Sequence, residues 1–70
     1  MRILLIEDSL SLRNSLSLGL EKLGYSVDTA GTGSEGLSMA LLGSYEIIIL
    51  DMMLPEKTFR NKGYHLICAI

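Results

Sequence analysis

The chain has 70 residues, 49% of them apolar, a net charge of −2 and one cysteine, Cys68. That length admits a single domain near the lower limit for a self-sufficient core, and so apolar a composition argues against disorder. The mild charge and scattered Lys and Arg do not make a nucleic-acid footprint, only Lys57, Arg60 and Lys62 falling close together, and a lone cysteine excludes an internal disulfide framework.

Met1-Arg2 and the apolar residues after them begin like a signal peptide, but Glu7 and Asp8 cut the run short. No run approaches the length of a membrane span, so a soluble protein of a reducing, cytoplasmic compartment is expected. Ile3-Leu4-Leu5-Ile6 is apolar without alternation, as in a parallel strand buried on both faces. Ser9 then offers an N-cap hydroxyl, and Leu12, Leu16, Leu20 and Leu23 recur at helical spacing. Gly24 supplies the left-handed residue that commonly ends a helix. Tyr25, Val27 and Thr29 alternate with Ser26 and Asp28, as in a half-exposed strand. Thr32-Gly33-Ser34-Glu35 is a capping-box pattern in which Glu35 reaches back to the cap. Leu37, Ala40 and Leu41 give the following helix its apolar stripe, and Gly43 closes it. Residues 45–50 form a third strand, with Ile47-Ile48-Ile49-Leu50 again apolar throughout and Asp51 at its end.

The order βαβαβ, with right-handed crossovers, places a helix on each face of a parallel sheet. The alternating second strand belongs at an edge, which puts the first strand between the second and the third. Strand order is then 2-1-3, with its reversal between strands one and three. Ligands bind outside the carboxyl ends of such strands at that reversal. Glu7, Asp8 and Asp51 all lie there. Three like charges that close need something to offset them. A hard divalent cation with oxygen ligands, typically Mg²⁺, is the usual answer.

Beyond Met52-Met53-Leu54-Pro55, the polar residues Glu56 to Lys62 read as a loop around Phe59. Gly63 opens a second apolar stretch, Tyr64 to Ile70. Leu66, Ile67 and Ile70 fit the first turns of a helix, while Tyr64, Leu66, Cys68 and Ile70 fit one face of a strand. The helix is the expected form, because the next crossover of a parallel sheet is due.

Three segments together resemble the receiver domain of bacterial two-component response regulators, closest to members that precede a winged-helix DNA-binding domain. They are Ile3-Leu-Leu-Ile-Glu-Asp8, Leu20-Glu-Lys-Leu-Gly-Tyr-Ser-Val27 and Ile47-Ile-Ile-Leu-Asp-Met-Met-Leu-Pro55. The resemblance covers residues 2–55 and leaves 56–70 as a divergent or inserted loop followed by the start of the next helix. It implies a flavodoxin-like, doubly wound sheet of which residues 1–70 form the βαβαβ part, ending before the fourth and fifth strands. It also implies that Asp51 accepts a phosphoryl group from a histidine kinase or phosphotransfer protein. Asp8, Asp51 and the backbone carbonyl of Met53 then hold Mg²⁺, with Glu7 assisting through water. The family's fourth strand ends in a Ser or Thr and its fifth in a Lys, both of which touch the phosphoryl group. Their absence is expected to impair the reaction, and neither Lys57 nor Lys62 is expected to substitute. The chain is thus expected to be a signalling switch rather than an enzyme.

Leu10 and Leu18 lie off the helical stripe, where receivers of this family dock on the kinase. The other expected contact is self-association through the apolar third strand, left as an edge; no nucleic acid or membrane contact is expected of this segment. Two rival readings differ in class. One is a kinase-binding module that does not switch, or a fragment without function. The other is a dinucleotide-binding enzyme fragment, because Gly31-Thr-Gly33-Ser-Glu-Gly36 matches that fingerprint. The fingerprint should follow a central strand, whereas here it follows the alternating, edge-like one.

Overall fold

A computed structural model of the chain describes residues 1–51 and 65–68, with Asp51 and residues 65–68 described through their backbone. The apolar run at the start forms β1 (Arg2–Glu7), whose residues from Ile3 onward are all buried. Burial on both faces requires cover on both, and the two helices supply it. The first helix, α1 (Leu10–Lys22), begins where the Ser9 hydroxyl accepts the Leu12 N–H. It ends at Gly24, the one described glycine with positive φ, 98°. There the Gly24 N–H donates to the Glu21 carbonyl and the Tyr25 N–H to that of Leu20. This reciprocal pair satisfies carbonyls that the helix end would otherwise leave open.

The chain then runs through β2 (Ser26–Ala30), α2 (Gly33–Leu42) and β3 (Ile47–Asp51) to β4 (His65–Cys68). All strand pairs are parallel, and the order across the sheet is β2-β1-β3-β4. The expected 2-1-3 core is present, with the half-exposed β2 at one edge.

The fourth strand corrects an expectation. His65–Cys68 pairs with Ile47–Leu50 residue for residue, as strand rather than helix. The sheet therefore does not stop at three strands, and β3 is not the bare edge from which self-association was expected. The physical reason is that the Leu66, Ile67 and Cys68 run suits both periods, and a buried, unpaired β3 edge favours the partner that fills its ladder.

Side chains alternate between the faces of β1 and β3. Leu4, Ile6, Ile48 and Leu50 gather with Ala30, Ala40 and Tyr45 in one cluster, against which Leu37 and Met39 of α2 pack. Ile3, Leu5 and Glu7 belong to the other face, where right-handed crossover places α1. The stripe of α1 is less covered than expected: Leu12 and Leu16 are 42% and 38% exposed, and no residue of the helix is buried. The helix rests chiefly on β1 and β2, so its apolar side is covered along one flank. In α2, Leu41 also differs from expectation: it is exposed, while Gly36 and Ala40 face the sheet.

Candidate functional site

The carboxyl end of β1 is where the sheet brings the acids together. Glu7 and Asp51 are register partners across β1 and β3. Asp8 follows at an exposed position. The side chain of Glu7 is only 3% exposed. One of its oxygens, Oε1, accepts the Ser9 N–H at 2.9 Å. The other, Oε2, is buried and has no hydrogen-bond partner among the described residues.

A buried acceptor without a donor costs about 1–3 kcal/mol, and more for a charged group. Such an atom is rare enough in native proteins to require an explanation, an ion or water being among the usual ones. An all-oxygen set with one unpartnered carboxylate oxygen suits a hard cation and not a soft one. The acids therefore fit Mg²⁺ chemically. Among the described residues no group of three His, Cys, Asp or Glu side chains stands at ligand spacing. The Asp51 contribution is its register position, and the Met53 carbonyl lies outside the described residues, as do Lys57 and Lys62.

Sequence reasoning missed one residue here. Arg13, in the second turn of α1, reaches back to the strand end and its Nη1 donates to the Glu7 carbonyl at 2.8 Å. The cue available in the sequence was a lone cation one and a half turns beyond the acid pair.

The loop between β2 and α2 borders the same end. The Thr32 hydroxyl accepts the Glu35 N–H, capping α2 as expected. Glu35 reaches back, but to the N–H of Gly31 (2.8 Å) instead of the cap residue. Gly36 has a packing role: a methyl group at its α-carbon would lie 2.4 Å from Cδ1 of Ile6. The third glycine of the dinucleotide fingerprint thus serves the contact of α2 with β1.

A second polar cluster occupies the opposite end of the sheet. An Arg2 guanidinium nitrogen lies 2.8 Å from the Asp28 carboxylate, the Tyr45 hydroxyl donates to the same oxygen at 2.7 Å, and the guanidinium sits 4.8 Å from the Tyr45 ring centre. The Tyr45 hydroxyl, and after it Arg2, hold the Asp28 carboxyl below the usual carboxylate range. Burial, reinforced by Asp28, raises the Tyr45 phenol. Backbone bonds close this end: Arg2 N–H donates to the Glu46 carboxylate and Glu46 N–H to the Arg2 carbonyl.

On α1, Leu10 and Leu18 are both exposed. No described helix is long and apolar enough to cross a membrane.

Comparison with known proteins agrees with the fold. A family model described as the response regulator receiver domain matches residues 3–70. The transcriptional regulatory protein DltR of Streptococcus agalactiae is 41% identical over 58 residues, which is 83% of this chain and 26% of that protein. The chain therefore spans about a quarter of the length of such curated relatives. Among solved structures, the response regulator TrrA of Thermotoga maritima in complex with Mg²⁺ and BeF is similar with a TM-score of 0.72 and 39% identity, covering 77% of this chain and 47% of that one. The crystal structure of the histidine kinase ThkA in complex with TrrA contains a chain with a TM-score of 0.81 and 32% identity, covering 96% of this chain and 66% of that one.

Proposed function

Because the chain belongs to the response regulator receiver family of two-component phosphorelays, we propose that Asp51 is its phosphoryl acceptor and that a sensor histidine kinase or phosphotransfer protein is the donor. The observation that carries this reading is the register of Asp51 with Glu7, whose buried Oε2 has no partner among the described residues. Asp8, Asp51 and the Met53 carbonyl would hold Mg²⁺, with Glu7 acting through water. When bound, the cation supplies positive charge against the oxygens of the phosphoryl group.

The rest falls to the chain's own residues. A carboxylate oxygen of Asp51 attacks phosphorus in line. The new O–P bond forms as the P–N bond to the donor imidazole breaks, and its electron pair leaves with that ring, which takes up a proton. Asp8 contributes charge at the exposed rim, and Glu7 contributes it from a buried position where a field is less screened. The donor would dock on the outer side of α1 through Leu10 and Leu18, a reading supported by their exposure and by the kinase complex of a similar protein.

The family's fourth strand ends in Ser or Thr, whereas β4 (His65–Cys68) carries neither within its bounds, which would slow the reaction.

The test is intact mass after incubation with phosphoramidate and Mg²⁺. Wild type should gain the mass of one phosphoryl group and Asp51→Asn should gain none. Equal uptake by Asp51→Asn would sink the assignment.

A further inference from the structure

We propose that Arg13 is a positioning residue for the acidic site, and that position 31 is glycine so that its guanidinium can lie against the backbone there. The proposal rests on reading Glu7, Asp8 and Asp51 as a cation site.

The sheet itself shows why a donor is needed. Ser26 N–H donates to the Met1 carbonyl, and Glu46 N–H to that of Arg2. Carbonyls alternate sides along a strand, so odd-numbered residues of β1 turn theirs toward β2 and even-numbered ones toward β3. Glu7 is odd, and its carbonyl points beyond the last register pair on that side, Ile6 with Ala30. The ladder has no donor left to offer. Arg13 Nη1, 2.8 Å away, takes that place.

Position 31 is shaped for this. A β-carbon on Gly31 would stand 2.7 Å from Arg13 Nη1, closer than such atoms approach, so the flexible end of the arginine would have to move away from where it lies; the guanidinium carbon, at 3.4 Å, is in ordinary contact. The Gly31 N–H is fixed from the other side by Glu35 at 2.8 Å. Gly31 does not have a positive φ, so its lack of a side chain here concerns space and not backbone strain. The guanidinium is thus held between the β2–α2 loop and the peptide that joins Glu7 to Asp8. That peptide sets where both acids point. Among the described residues Arg13 forms no ion pair with a carboxylate, so its contact with the site is through the main chain.

Two roles for Arg13 make opposite predictions. A cation acting only by its charge repels Mg²⁺, and its removal tightens binding. A cation that orients the ligand-bearing peptide helps Mg²⁺, and its removal weakens binding. Losing a partner that orients a metal ligand typically costs about 10–100-fold in affinity.

The experiment is a Mg²⁺ titration of the chain, followed by the amide signals of Glu7, Asp8 and Ser9. Wild type should bind. Arg13→Ala and Gly31→Ala should each bind about tenfold more weakly, although Gly31→Ala leaves the arginine in the sequence. The double variant should be no weaker than Arg13→Ala alone, because both remove one contact. Tyr45→Phe, at the far end of the sheet, should leave the affinity unchanged and so separates orientation from general stability. Unchanged or tighter binding by Arg13→Ala or Gly31→Ala overturns the proposal while the cation site stands. Absence of Mg²⁺-dependent shifts in wild type overturns the site itself, and the proposal with it.

Discussion

Replacing Gly36 by Ala should change sign with the side chain at position 6. In wild type the new methyl group meets Ile6 Cδ1 at 2.4 Å, Cγ1 at 2.7 Å and Cγ2 at 3.2 Å. Ile6 is fully buried, and close-packed interiors leave a side chain few voids to move into. Overpacking of this kind costs about 1–3 kcal/mol. Against that, Ala in a helix interior is favoured over Gly by about 1 kcal/mol. Taking the centre of each range, Gly36→Ala should destabilise by about 1 kcal/mol, out of roughly 4–10 kcal/mol for a chain of this length. With Ile6→Ala in place, all three clashing atoms are gone and the propensity gain remains, so the same change should stabilise by about 1 kcal/mol. The assay is urea unfolding of the four proteins, with Ile6→Val, which removes only Cδ1 of the three clashing atoms, as a milder background in which the cost of Gly36→Ala should shrink without reversing. At an m-value near 1 kcal/mol/M the midpoint shifts by roughly 1 M down in one background and up in the other. An equal shift in both backgrounds would refute the argument that Gly36 is there for the contact with Ile6.

Two other measurements address the cluster at the opposite sheet end and the outer side of α1. Asp28 is held below its usual pKa chiefly by Tyr45 and then by Arg2, so its contribution to stability is present above its ordinary value of 3.8 and is lost as pH falls through the lower folded value. The Tyr45 phenol is raised above 10.0 by burial first, so its contribution is present below that value and is lost as pH rises through the folded one. The carboxylate and guanidinium are nearly half exposed, which limits the pair to about 0.2–1 kcal/mol; stability curves of wild type and Asp28→Asn should converge in acid, and parallel curves would contradict this. Leu10→Ser and Leu18→Ser should weaken kinase binding, measured by surface plasmon resonance, while shifting stability by no more than about 0.5 kcal/mol; unchanged binding by the double variant would remove α1 as the docking side.

The sheet core and its acidic end were legible because burial leaves an unambiguous pattern. Ile3–Ile6 and Ile47–Leu50 lack alternation, and Ser26–Ala30 has it, which suffices to order three strands. The fourth was not legible. Four residues with Leu66 and Ile67 adjacent satisfy a helix and a strand alike, and what decides is the unfilled ladder of β3, a property of the neighbour. Leu12 and Leu16 fit the helical stripe in sequence, yet their burial depends on what α1 lies against. The bond from Arg13 to the Glu7 carbonyl was illegible for a different reason: a side chain bound to main chain leaves no pairing signal in residue types.

The central place of β1 also dictates an order of events during synthesis. β1 is translated before both of its neighbours, β2 and β3, the latter only at Ile47–Asp51. At roughly 5–20 residues per second, Ile3–Ile6 waits about 2–9 seconds for its second partner. Throughout that interval one edge of a wholly apolar strand has no ladder to join. One of the two wholly apolar strands is thus exposed before it can be paired on both sides. The helix α1 with its Gly24 stop is the first element able to fold back and shield these four residues.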